Sequence, residues 1–122
     1  MPELPEVEIL VRHLDPVLRG RTIRKATVHR AKSVRPDIAD RFAAGVSGAK
    51  ILQVRRRAKY LLFDLKTDSQ ASALLLGHLG MTGRMYVQPT RAMLPKHAAV
   101  SLRLNRGVFV FEDTRYFGRM TL

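Results

Sequence analysis

From Lys50 onward the chain divides into short apolar or alternating runs, each closed by Gly, Asn, Asp, Ser or Pro, and this punctuation constrains the fold most. The runs are Lys50–Arg57, Tyr60–Leu65, Ala73–Leu79, Arg84–Gln88, Ala99–Leu104 and Val108–Glu112, with Thr22–Ala31 an earlier one. Short runs of period two or continuous apolar character, bounded by turn formers, read as successive strands. Asn105-Arg106-Gly107 sits between two of them as a hairpin turn.

Two segments follow a different period. Over 3–19, Val7, Leu10, Val11, Leu14, Val17 and Leu18 recur at helical spacing and form one apolar stripe. Pro2 and Pro5 stand at its start, where a missing N–H costs nothing. Glu3, Glu6 and Glu8 suit its positive end, and Gly20 marks its stop. Arg35–Ala44 reads as a short helix with Asp37 near its beginning and Gly45 at its end. The expectation is a mainly β protein with flanking helices (α+β): an antiparallel β-sandwich of about seven strands, with an N-terminal helix and one further short helix. The whole chain, 1–122, reads as one domain.

The charge balance narrows the partner. Lys and Arg number 22 against 10 Asp and Glu, a net charge of +12. Such an excess favours a polyanion, nucleic acid before an anionic membrane. Sixteen of the cations are Arg, whose fork matches phosphate oxygens at two points. No apolar run approaches the roughly 20 residues that span a bilayer, so no membrane partner is expected. There is no cysteine, hence no disulfide and no thiolate zinc site. A cytoplasmic monomer is the default expectation.

Four clusters carry chemistry. Removing Met1 exposes the secondary amine of Pro2. An α-amine titrates near 7.7–8.0, so a useful neutral fraction exists at about pH 7 to attack an electrophilic sugar carbon. Glu3 and Glu6 lie close enough in sequence to move protons. Taken alone, Pro at a first turn is an ordinary helix start, and some small tautomerases use an amino-terminal Pro as a base, although they need no such positive charge. Arg55-Arg56-Arg57-Ala58-Lys59-Tyr60 puts four cations before an apolar strand, as a phosphate-contacting loop or a solvated charge run. Gly77-His78-Leu79-Gly80-Met81-Thr82-Gly83 exposes His78 and Met81 on a glycine-dense turn. Met81 reads as an apolar wedge between base steps or as core filler. Asp113-Thr114-Arg115-Tyr116-Phe117-Gly118-Arg119 sets cations against aromatics. Arg115 and Phe117 would fill the hole left by an extruded nucleotide, or form a plain Arg/aromatic pair.

Together Met1–Glu8, Arg56–Leu62, His78–Gly83 and Asp113–Gly118 resemble the formamidopyrimidine-DNA glycosylase and endonuclease VIII family, in its order and near its spacing over the whole chain. The formamidopyrimidine branch fits better. The resemblance implies Pro2 as nucleophile at C1′ of the lesion's deoxyribose, Glu3 as acid/base and Glu6 as supporting carboxylate. It implies Lys59 and His78 as contacts around the flipped nucleotide, with Lys59 part of the catalytic group and Arg56 and Arg57 joining it on DNA. Met81, Arg115 and Phe117 would fill the void. It further implies damaged double-stranded DNA as partner, excision of 8-oxoguanine and formamidopyrimidines, β,δ-elimination, and a bacterial, nucleoid-associated setting. No metal or cofactor is expected in this chain. The family's zinc belongs to a second domain, with a helix–two-turn–helix element and a zinc finger, which this sequence does not contain. Activity is therefore expected to be weak, and a non-catalytic duplex-binding module is the alternative. Where the family has an H-D-H-like cluster, this chain has His97-Ala98-Ala99, which puts local strand pairing in doubt.

Overall fold

A computed structural model describes residues 4–122. Its elements are α1 (Leu4–Leu18), β1 (Ile23–Val28), a 3-10 turn (Ala31–Val34), α2 (Ala39–Val46), β2 (Lys50–Arg57), β3 (Tyr60–Lys66), β4 (Ser72–His78), β5 (Gly83–Gln88), β6 (Ala98–Leu104), β7 (Val108–Asp113) and β8 (Arg119–Thr121). The strands form two antiparallel four-stranded sheets, ordered β1-β6-β7-β5 and β2-β3-β4-β8. The sandwich with flanking helices expected from the punctuation is the architecture found.

Strand alternation builds the core. Ile51, Val54, Leu61, Phe63, Leu65, Leu75 and Met120 of one sheet face Ile23, Leu102, Leu104, Phe109, Phe111 and Met85 of the other, all buried in one cluster. Phe63 and Phe109 meet edge to face across it, ring centroids 5.7 Å apart. Helix α1 lies on the β2 edge with Val7, Val11, Leu14 and Leu18 buried, as the stripe predicts. Gly20 adopts φ +85°, and its N–H donates to the Ile51 carbonyl. That left-handed residue ends the helix and turns the chain into the sheet.

Four local expectations are corrected. The helix expected over 35–44 runs over 39–46 instead. Pro36 disfavours helical backbone at the residue before it, and Arg35 sits at ψ 142° after the 3-10 turn. Gly45 lies inside α2 rather than ending it, at a site where a Cβ would come 2.6 Å from the Leu122 side chain. The first strand stops at Val28, short of Ala31. An eighth strand, Arg119–Thr121, pairs with the β4 edge. At His97-Ala98-Ala99 the pairing forms with a register irregularity between Ala98 and Val100, and the Ala99 carbonyl accepts both the His29 and Arg30 N–H. Among the described residues no helix is long and apolar enough to cross a membrane.

Candidate nucleic-acid interface

One end of the sandwich gathers the sequence-predicted site residues that the structure describes. Helix α1 runs antiparallel to β2. Glu8 bonds Arg56, Asp15 accepts the Val54 N–H at 2.8 Å, and Gly20 donates to Ile51. The start of α1 therefore points toward the β2–β3 hairpin tip. That tip, Ala58-Lys59, reverses the chain with Ala58 at φ +52°. The end of β4 brings His78 beside it, with the Tyr60 and His78 rings 5.1 Å apart. The following turn carries Met81, and the loop after β7 carries Arg115 and Phe117. Glu6 is exposed on the first turns of α1. Pro2 and Glu3 lie outside the described residues.

The three consecutive arginines differ in their partners. Arg55 forks onto Asp64 at 2.7 and 3.0 Å. Arg56 donates to Glu8 at 2.7 Å and to the Ala58 carbonyl at 3.0 Å, which anchors α1 to the sheet. Both arginines hold their acidic partners below the usual carboxylate range through these hydrogen bonds. Arg57 makes no hydrogen bond or ion pair among the described residues and faces a cleft of about 810 Å³. Arg35, Arg55, Arg119 and His78 share that cleft, over a floor of Tyr60, Leu62, Leu74 and Leu76. The cleft lies on the outer face of the β2-β3-β4-β8 sheet, and Ala58 of the hairpin tip is among its lining residues.

His78 is tuned toward neutrality. Burial lowers its pKa, and the Lys59 charge lowers it further. Its Nδ1 accepts the Gly80 N–H at 3.0 Å, which leaves the proton on Nε2 as a donor. A neutral donor beside a cationic Lys59 is a suitable pair for one phosphate.

The loop after β7 holds exposed side chains on a fixed backbone. Met81 is 54% and Phe117 47% exposed. Arg115 lies 4.9 Å over the Phe117 ring, and Lys32 Nζ 5.1 Å from its centroid. Arg30 stacks 4.7 Å over Tyr116, whose hydroxyl meets His97 Nδ1 at 3.1 Å. Asp113, fully buried at the end of β7, accepts from Thr82, Arg115 and Gly118. Lys32, Arg30, Arg35, Arg119, Thr82 and Asp113 were not singled out from the sequence. The first three reach this end only through tertiary folding, whereas Arg119 and Thr82 stood inside quoted clusters. Asp113 stood inside a quoted motif, but nothing in its spacing revealed burial. Among the described residues no three His, Asp or Glu converge into a group that could hold a metal ion.

Comparison with known proteins agrees with this arrangement. Residues 1–120 match the family model described as formamidopyrimidine-DNA glycosylase N-terminal domain. The formamidopyrimidine-DNA glycosylase of Ruegeria sp. is 40% identical over 131 residues, covering 100% of this chain and 44% of the relative. That of Acidithiobacillus ferrooxidans is 43% identical over 119 residues, covering 97% and 42%. Among solved structures, the Lactococcus lactis Fpg bound to DNA containing an abasic site superposes with TM-score 0.89 at 28% identity, covering 98% of this chain and 43% of that one. The same protein's G226P mutant bound to Fapy-dG DNA gives TM-score 0.89 with 98% and 42% covered. The chain thus spans less than half the length of these relatives. With the family model matched over nearly every residue and the sandwich superposing throughout, the chain belongs to the formamidopyrimidine-DNA glycosylase N-terminal domain family.

Proposed function

We propose that this chain is the catalytic half of a base-excision DNA glycosylase and AP lyase acting on oxidised purines such as 8-oxoguanine and formamidopyrimidines. One observation carries the reading: a single end of the sandwich gathers the start of α1, a Lys59/His78 pair suited to phosphate, and three exposed side chains suited to filling a gap in a duplex. Met81 and Phe117 supply apolar wedges and Arg115 a donor fork. An enzyme working on a base inside a duplex must turn it out and occupy the space it leaves.

The chemistry starts at Pro2 after removal of Met1. Its neutral amine attacks C1′ of the flipped nucleotide, the glycosidic bond breaks, and the damaged base leaves carrying a proton. Glu3 assists opening of the sugar ring and proton transfer, with Glu6 in support. The resulting iminium acidifies the C2′ proton, so β-elimination breaks the C3′–O bond and δ-elimination then breaks the C5′–O bond. Lys59, His78 and Arg57 hold the backbone, and Arg56 acts mainly by fixing α1 through Glu8. The family's second domain supplies further DNA contacts, so this chain alone turns over weakly, as a monomer in the bacterial cytoplasm.

Borohydride trapping on abasic DNA tests the reading, with Met1 removal first verified by intact mass. A covalent adduct that Pro2→Gly sharply reduces is expected. Salt-dependent duplex binding without any adduct would instead make the chain a non-catalytic DNA-binding module.

A further inference from the structure

The three exposed side chains sit on two different loops, yet both loops are fastened to one buried group. Met81 lies on the turn between β4 and β5. Arg115 and Phe117 lie on the loop between β7 and β8. Asp113 Oδ1 accepts from Thr82 Oγ1 at 2.5 Å and from the Arg115 N–H at 3.1 Å. Its Oδ2 accepts from the Gly118 N–H at 2.8 Å. Burial alone would raise this carboxyl's pKa, but these donors and the Tyr116 N–H outweigh it and hold the group below the usual carboxylate range. No ion pair among the described residues involves Asp113. The ionised group is stabilised by directional donors alone, so it specifies geometry and not merely charge.

Backbone contact reinforces the junction. A Cβ on Gly80, at φ +63°, would come 2.7 Å from the Gly118 nitrogen. One on Gly118 would come 2.7 Å from the His78 carbonyl and 2.6 Å from the Phe111 ring. The two loops are therefore in backbone contact beside the carboxylate. Residues inserted into a stack must hold position against the cost of unstacking, and a loosely held wedge does so poorly.

Resting on the function proposed above, we propose that Asp113 and Thr82 are positioning residues that hold Met81, Arg115 and Phe117 as one rigid insertion unit. The carboxylate itself stays out of reach of DNA. The unit matters only where there is a stack to hold open.

The test compares trapping on duplex and on single-stranded abasic DNA, using the intact chain with Thr82→Val, Thr82→Ser and Asp113→Asn. Thr82→Val removes one hydrogen bond to a charged acceptor. At saturating protein it should slow trapping on duplex about tenfold and leave single-stranded trapping within about twofold. Thr82→Ser should restore the duplex rate. Amide exchange in the free protein should quicken at Arg115 and Gly118 in Thr82→Val, although the change lies on the other loop. An equal loss on both substrates, or on neither, would overturn the proposal. So would unchanged exchange at Arg115 and Gly118, which needs no DNA and stays interpretable if Asp113→Asn folds poorly. Wild-type protein that traps neither substrate would fail the catalytic reading itself and carry the insertion unit down with it.

Discussion

Replacing Arg57 with alanine is expected to lower duplex affinity in a salt-dependent way that the same change at Arg55, properly compensated, does not reproduce. Each cation that neutralises a phosphate adds about 0.9 to the slope of log K against log salt. Arg57 is unpaired among the described residues and faces the open cleft, so its full charge is available. Arg55 shares that face, but its guanidinium is already spent on both oxygens of Asp64. Removing Arg57 should thus reduce the slope by about 0.9, and the affinity penalty should be about 3.5-fold larger at 50 mM than at 200 mM salt. Arg55→Ala alone would strand the Asp64 charge, so the informative variant is Arg55→Ala/Asp64→Asn, which removes the pair as a neutral unit. Its slope should match wild type to within about 0.3. The assay is fluorescence anisotropy of a labelled duplex across that salt range. A paired double variant that loses as much slope as Arg57→Ala would refute the assignment of availability from ion-pair geometry.

Three further outcomes are expected. Leu14→Ala, at a position 1% exposed, should destabilise the domain by about 3 kcal/mol in urea denaturation; Ile9→Ala, on the outer face at 67% exposed, should change it by less than about 0.5 kcal/mol, and equal costs would mean that the packed face of α1 is misassigned. The His78 pKa is depressed from 6.5, so its contribution is present above about pH 6.5 and is lost as pH falls through the lower folded value. Ring-proton NMR should place that titration below 6.5, and His78→Gln should flatten part of the acid-side loss of stability, His29 sharing the same window through its own burial. Gly80→Ala, forced against the Gly118 backbone at positive φ, should lower the melting temperature, whereas alanine at Gly20, where φ is also positive but no atom lies within 4 Å, should cost less.

The sandwich was legible because strand alternation and turn residues are local: Phe63, Phe109 and Leu75 announce a buried face by their spacing wherever the sheet lies. The stripe of α1 was legible for the same reason, as was the Gly20 stop. The strand at Arg119–Thr121 was not, since three residues carry too little period and only the β4 edge defines them. Nor was the start of α2, where Pro36 restrained Arg35 and moved the helix beyond the apparent pattern. For the candidate site, the residue types were present in the sequence, with Lys59, His78, Met81, Arg115 and Phe117 all in recognisable clusters, and the described structure draws them to one end. Which charges are available was a tertiary matter. Arg55, Arg56 and Arg57 are chemically identical neighbours, and only the strand pleat, Asp64 across the hairpin and Glu8 on α1 make them different. The same holds for Asp113, because burial and four converging donors depend on two loops meeting, and no short stretch of sequence contains both.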